Sequence, residues 1–407
     1  MENQNKSIGD AFREIKLSHI FRGNYKIWLS IFLLAVISIL AAFSASERPA
    51  VIANDKQMWF FISHCFAIII SFLLIIIVQF IPIEKIRRWS KAFWLFALII
   101  VVVTMIFGQE ENQATRVLFG MRTFDFMKLA FPIYFARILV QKIDLINTSF
   151  KQFCRYVIFP TILSTFIFIK DNISTSIILL FVFSVILFIS EVKIKYKLSI
   201  IPLFLGLIGI LFLVQFTLGD KYPELKKIGR LETAKSRIES FVKGGNEKNQ
   251  TQTIRAEAAI QSAGFFGVGP GQSYNKNIPQ IESDFIFCLI VEEYGLIIAF
   301  FILFCYLWLL LYSLQIIRKL DNKFSIYAIV GITVTIVFQA FIHIFVNIGG
   351  PNTGQTLPFI SQGRVSIFIT AIAFGIIINL SSKVKNKAVK INQDVANQDV
   401  VNKNTEL

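Results

Sequence analysis

Charge is what this sequence has least of. Only 16% of its 407 residues are Asp, Glu, Lys or Arg, against about 25% in an average soluble domain, and the mean hydropathy is +0.64. A chain so apolar has too little polar surface to stay in water, and it has no low-complexity tract that would point to disorder. Histidine is nearly missing: His19, His64 and His343 lie far apart, which argues against a His metal cluster or a Ser-His-Asp triad. The four cysteines, Cys65, Cys154, Cys288 and Cys305, sit in or beside apolar runs at no paired spacing. That excludes a disulfide scaffold and a Cys-based zinc site. Gly264, Gly267, Gly269 and Gly271 imitate a nucleotide loop, but no Gly-Lys-Ser/Thr end and no acidic ribose partner follow them, which sets aside a P-loop or Rossmann site.

What the chain does have is long apolar runs. A bilayer-spanning helix needs about 20 mostly apolar residues. Ten such runs lie near 27–45, 58–82, 91–107, 126–141, 156–169, 173–190, 198–217, 286–315, 324–348 and 365–381, so the expectation is an all-α integral membrane protein with ten spans. The fourth and fifth are short and broken by Pro132 and Pro160. With the N-terminus inside, the inner segments carry 23 Lys and Arg and the short outer loops carry 6, the bias that sets orientation. Both termini are then cytoplasmic. Much of the net charge of +15 is this asymmetry, which favours anionic lipid headgroups and not nucleic acid as its partner. Ala41–Ala45 could pass for a signal-peptidase site, but the long apolar run and the acidic residues of the preceding polar tail favour an uncleaved first span. The expected organisation is a cytoplasmic tail 1–26, a membrane domain 27–382 with a large extracytoplasmic loop 218–285 between the seventh and eighth spans, and a disordered cytoplasmic tail 383–407.

An ionisable side chain at membrane depth costs about 2.5–3.5 kcal/mol on insertion scales and needs a reason to be there. Four places concentrate such groups, all toward the outer side. In 112–128, Asp125 and Lys128 are three apart and can pair on a helix, with Arg116 and Arg122 just before them; the segment is either a salt-bridged helix entry or a cationic pocket for an anionic substrate. In 222–242, basic residues including Arg237 alternate with apolar ones at helical spacing, as in a helix lying on the membrane surface. In 252–295, a glycine-flexed stretch delivers Asp284 to the mouth of the eighth span. There Asp284 is either a general base or a helix N-cap, while Glu293 is expected to pair between helices. In 347–366, prolines, glycines and hydroxyls at membrane depth cannot form a regular helix, so the backbone must be buried in protein or line a cavity.

Together these residues resemble one family, the SEDS (shape, elongation, division and sporulation) proteins, the RodA/FtsW peptidoglycan polymerases, over nearly the whole chain. The most specific elements are Ile278-Pro279 followed by Asp284-Phe285-Ile286-Phe287 and Glu292-Glu293-Tyr294-Gly295. Next comes the run from Pro351 to Ser361, which fits Pro-x-Thr-Gly-x-x-Leu-Pro-Phe-x-Ser through Thr353, Gly354, Pro358 and Ser361. Gln252, Arg237 and the Asp125/Lys128 pair match less tightly. Departures are the family's Glu replaced by Asp125, its Arg-Trp by Arg116-Val117, and its Gly-Gly-Ser-Ser by Gly363-Arg364-Val365-Ser366. The first span and the polar tail look more like the division branch than the elongation branch.

The resemblance implies a glycosyltransferase that polymerises lipid II into glycan strands at the outer face of the cytoplasmic membrane and releases undecaprenyl pyrophosphate. It implies Asp284 as the catalytic base. Arg116, Asp125, Lys128, Gln252, Arg255, Lys276, Thr353, Gly354, Pro358 and Ser361 would be the substrate-binding set, with Glu293 and Arg237 structural. A divalent cation, Mg or Mn, on Asp284 is left open. The implied partner is a single-pass class B penicillin-binding protein, a transpeptidase. The competing readings are a lipid-linked saccharide transporter or flippase, which the same cavity and cations would suit, and a non-catalytic scaffold for a penicillin-binding protein.

Overall fold

The computed structural model describes residues 21–47, 56–111, 114–118, 121–168, 172–200, 247–350 and 353–382. Both expected tails beyond those limits, nearly all of the expected seventh span, the basic surface helix with Arg237, and Pro351-Asn352 lie outside the described residues. Helices α1 (Tyr25–Ser46), α2 (Gln57–Val78) and α3 (Ile83–Phe107) lead into a small sheet and then α4 (Phe124–Gln141), α5 (Ile143–Thr148) and α6 (Phe150–Phe153). A π turn at Cys154–Ile158 joins α6 to α7 (Phe159–Phe166). There follow α8 (Ile173–Ile189), α9 (Ile194–Leu198), α10 (Glu247–Ser262), α11 (Ile286–Ile317), α12 (Lys323–Asn347) and α13 (Arg364–Ser382).

Among the described residues, six helices are long and apolar enough to cross a membrane: α1, α2, α3, α11, α12 and α13. In a bilayer every backbone group must find its partner inside the segment, which leaves the helix as the solution for such runs. The burial of the spans differs. The apolar windows of α12 and α13 are 72% and 78% buried inside the protein, against 33% for α2, α3 and α11. The first two therefore form the centre of the bundle. The others turn bulky apolar side chains outward, among them Phe66, Ile69 and Leu73 on α2 and Ile99 and Ile106 on α3. Helix α1 packs on α2 and α11, while α4 packs on α3, α8 and α12.

Two expectations change. The chain is not purely helical, because residues after α3 form a three-stranded antiparallel sheet, β1 (Gln109–Glu111), β2 (Ala114–Leu118) and β3 (Met121–Arg122), in that order. Val117 pairs with Arg122 and Leu118 with Met121. This stretch lacks the apolar length of a span, and its Thr115, Val117 and Leu118 suit extended backbone. Nor does Pro132 break the fourth helix: α4 runs through it, as helices within a membrane bundle tolerate when neighbours surround them. Pro160 follows the π turn, in the first turn of α7.

The break in the bundle occurs instead in α11, at Gly295, whose φ of 85° and ψ of 178° are not helical. The backbone groups that the break releases are taken up by the glycine-rich stretch before α11. Val268 N–H donates to the Glu292 carbonyl (2.9 Å) and Gly269 N–H to that of Glu293 (3.0 Å), while Leu296 N–H reaches the Gly264 carbonyl (3.0 Å). Only glycine allows this approach, since a Cβ on Gly295 would sit 2.1 Å from the Phe265 carbonyl oxygen and φ > 0 disfavours any other residue.

Candidate functional site

The sheet after α3, the starts of α4, α8, α11 and α13 and the end of α12 gather at one end of the bundle. Side-chain bonds between residues far apart in sequence join them there. Asp284 lies in the turn just before α11 and is buried, with 4% of its side chain exposed. It does not cap that helix: the N-cap position is Phe285, without a side-chain cap bond. Its Oδ1 instead accepts from Arg122 Nη1 at 3.1 Å, an ion pair that crosses from β3, and from Ser283 Oγ at 3.0 Å. Arg122 Nη2 also reaches Ser283 Oγ at 3.4 Å.

The turn that holds Asp284 is fixed from two sides. Ser361 Oγ accepts the Leu357 N–H (2.7 Å) and donates to the Ser283 carbonyl (2.7 Å), which ties the Leu-Pro-Phe-x-Ser run to the base. Asn347, the last residue of α12, donates to the Asp284 carbonyl (3.2 Å) and to the His343 carbonyl (2.8 Å), and accepts the Cys288 N–H (3.0 Å). It thereby satisfies one of the amide groups that the first turn of α11 leaves without a helical partner.

A second polar centre lies around Lys128 on α4. Its ammonium donates to Asp125 Oδ1 (2.5 Å), Gln339 Oε1 (3.0 Å) and Gln355 Oε1 (3.1 Å), which uses all three donors an ammonium has. Gln355 Nε2, with two protons to give, lies within bonding distance of three acceptors at the start of α8, Ser174 Oγ (2.8 Å), Asn172 Oδ1 (3.0 Å) and Thr175 Oγ1 (3.2 Å). Gln339 Nε2 donates to the Thr356 carbonyl (2.9 Å) and hydroxyl (3.1 Å). His343 Nδ1 meets the Gln355 carbonyl at 2.7 Å; a carbonyl only accepts, so Nδ1 carries the proton. The non-helical residues 355–361 are thus buried and polar groups bind them throughout, the condition under which irregular backbone survives at membrane depth. Beside this centre a shallow cleft opens, lined by Asp125, Lys128, Gln339, Pro358, Ser366 and Thr370 among others.

The expected site residues divide accordingly. Asp125 and Lys128 pair as their spacing indicates. Thr353, whose carbonyl is 3.2 Å from Ser174 Oγ, and Gly354, with φ 64°, are half-buried and lead into the buried non-helical run, to which Pro358 belongs with its carbonyl accepting from Tyr306 Oη at 2.5 Å. Arg116 lies in β2. Gln252 and Arg255 lie on α10, Arg255 being exposed. Lys276 gives its ammonium to the Gly271 carbonyl. Glu293 accepts the Gly271 N–H at 2.8 Å and so grips the glycine stretch, while Ser44 on α1 bonds it across to the neighbouring helix. Glu292 also grips that stretch, through Ser273, the Tyr274 N–H (3.2 Å) and Asn275 Nδ2 (2.9 Å). The sequence reading passed over Gln339, His343 and Asn347. Their spacing of four, on one face of an otherwise apolar 25-residue helix, is a signal that could have found them.

Comparison with known proteins agrees with this architecture. The family described as "Cell cycle protein" (FTSW_RODA_SPOVE) matches residues 25–386. Among curated relatives, the probable peptidoglycan glycosyltransferase FtsW of Bacillus subtilis is 26% identical over 380 residues, covering 89% of this chain and 91% of that protein. Stage V sporulation protein E of the same organism is 27% identical over 360 residues, covering 86% and 94%. Among solved structures, a chain of a peptidoglycan synthase complex that coordinates polymerization and crosslinking superposes with TM-score 0.68 at 18% identity, covering 88% of this chain and 98% of that one. Thermus thermophilus RodA, a rod shape determining protein, superposes with TM-score 0.60 at 16% identity over 88% and 96%.

Proposed function

The chain belongs to the FtsW/RodA/SpoVE family of cell cycle proteins, the SEDS proteins, and on that premise we propose that it is a peptidoglycan glycosyltransferase of the division branch that polymerises lipid II. The observation that carries the reading is Asp284: a buried carboxylate, at the end of the bundle where the signature segments meet, held by Arg122 and Ser283 and not spent on a helix cap. Relatives named probable peptidoglycan glycosyltransferase FtsW support the reaction class.

The proposed reaction is an inverting displacement. Asp284 takes the proton of the acceptor sugar's 4-hydroxyl, and that oxygen forms a bond to the anomeric carbon of the donor. The bond from that carbon to the pyrophosphate oxygen breaks, and its electron pair leaves as undecaprenyl pyrophosphate. General-base help of this kind contributes typically about 10²–10⁴-fold. Gln252, Arg255 and Arg116 are candidate contacts for the sugars and the pyrophosphate. Asp125 and Lys128, with Thr353, Gly354, Pro358 and Ser361, hold the signature segment in place. A divalent cation fits Asp284 poorly, because Oδ1 already receives a guanidinium, and among the described residues no cluster of three His, Cys, Asp or Glu could hold a metal ion.

In this reading ten spans place both termini in the cytoplasm, with the loop 218–285 between the seventh and eighth spans and the site at the outer face of the cytoplasmic membrane. The partner is a class B penicillin-binding protein. The likeness to a chain of a synthase complex supports the partner. The test is an assay of the purified protein with labelled lipid II, with and without that partner, beside Asp284→Ala. Glycan strands from wild type and none from the variant are expected. Strands at the wild-type rate from the variant would remove Asp284 as the base, and no strands from either, with substrate bound, would favour a carrier or scaffold.

A further inference from the structure

An inverting transfer moves one unit of negative charge. Asp284 begins as a carboxylate and ends protonated, while the pyrophosphate gains the charge as its bond to the sugar breaks. The cation beside the base is therefore needed at the base before the reaction and at the leaving group after it. Of the four cations in the expected substrate-binding set, Lys128 is saturated by three acceptors. Lys276 is held by the Gly271 carbonyl, Arg255 lies exposed on α10, and Arg116 lies in β2. The cation that touches Asp284 is a fifth, Arg122.

We propose that Arg122 is a catalytic residue that exchanges partners: it holds the Asp284 carboxylate in the resting protein and passes to the donor's pyrophosphate as the proton reaches Asp284. This rests on the glycosyl-transfer reading. The geometry suits an exchange. The guanidinium is 3.1 Å from Oδ1 and its side chain is 22% exposed, so a ligand can reach the guanidinium without first breaking the pair. It is carried on β3, the last and shortest strand of the sheet. A guanidinium also suits phosphate oxygens, which it can bind through two parallel N–H donors.

Sharing one cation between two anions has a measurable signature. The pair competes with the ligand, so neutralising Asp284 must strengthen pyrophosphate binding, and only while Arg122 is present. Binding of undecaprenyl pyrophosphate in detergent micelles containing EDTA would be measured for wild type, Asp284→Asn, Arg122→Gln and the double variant. Asp284→Asn is expected to bind at least about fivefold more tightly than wild type, a modest coupling between sites. Arg122→Gln is expected to bind more weakly, and the double variant no more tightly than Arg122→Gln. Arg122→Lys should recover part of the turnover that Arg122→Gln loses. Equal affinity of Asp284→Asn and wild type, with both variants eluting as folded monodisperse protein, would overturn the exchange. So would a gain that persists in the double variant. Because this readout is binding, it stands apart from the polymerisation assay: glycan strands from wild type together with no gain in Asp284→Asn would sink the exchange and leave the glycosyltransferase reading intact.

Discussion

Two ion pairs among the described residues, Asp125–Lys128 and Arg122–Asp284, are built differently. The first lies within one helix turn, both side chains under 10% exposed, and its ammonium is shared among Asp125, Gln339 and Gln355 from α4, α12 and the signature segment. Every donor is in use and three elements depend on it. The second pair joins residues 162 apart in sequence, its cation is partly exposed, and around the carboxylate stand one guanidinium and one hydroxyl. A saturated pair can only hold; a pair with an accessible partner can change hands. An anionic substrate could meet Lys128 only by displacing one of these acceptors, because an ammonium has no fourth proton to offer.

Removing Asp284's carboxylate has the largest expected effect, the loss of strand synthesis described above, and it falls on turnover. The saturated pair should instead fail in stability. Lys128→Met leaves Asp125 charged and buried, which should cost about 3–5 kcal/mol, seen as early thermal unfolding in detergent. Asp125→Leu/Lys128→Met should recover most of that loss, since an apolar pair of similar volume is often neutral. If Arg122→Gln unfolded as early as Lys128→Met, the distinction between holding and working pairs would be lost.

Gly295→Ala tests the break in α11 that lets the glycine stretch dock. The strain of φ 85° alone costs about 1–3 kcal/mol, and the added Cβ meets the Phe265 carbonyl. Faster proteolysis between residues 264 and 285 is the expected outcome; unchanged protection would mean that the docking does not depend on that close approach. The smallest change is expected from Thr370→Val in the cleft. Its hydroxyl bonds the Ser366 carbonyl of its own helix at 2.7 Å, so stability should move by about 0.5 kcal/mol or less with activity kept. Loss of activity with the fold intact would make the cleft part of the working site and not of the scaffold.

Local pattern made part of this legible. The apolar runs marked the long helices, the i, i+3 spacing marked Asp125–Lys128, and Asp284 stood out as an acid at the mouth of a span. The proline and glycine content of 347–366 showed that no regular helix could form there. Other features were hidden because they depend on encounters across the chain. Lys128 finds Gln355 227 residues away, Arg122 reaches Asp284 only once β3 folds back on β2, and Glu293 turns to the glycine stretch because the helix breaks at Gly295. The stripe of Gln339, His343 and Asn347 was readable and passed unread, since three polar residues in an apolar span look incidental until a partner faces them.

By itself the sequence determined that this protein lives in a membrane, where its long apolar helices lie and which residues are too polar to lie there without cause, because hydropathy and spacing act within a single element. The tertiary structure alone decided which cation serves which carboxylate. In a medium with no water to satisfy a stray charge, a buried group takes whichever partner the packing of the helices brings within about 3 Å, and sequence distance has no bearing on that choice.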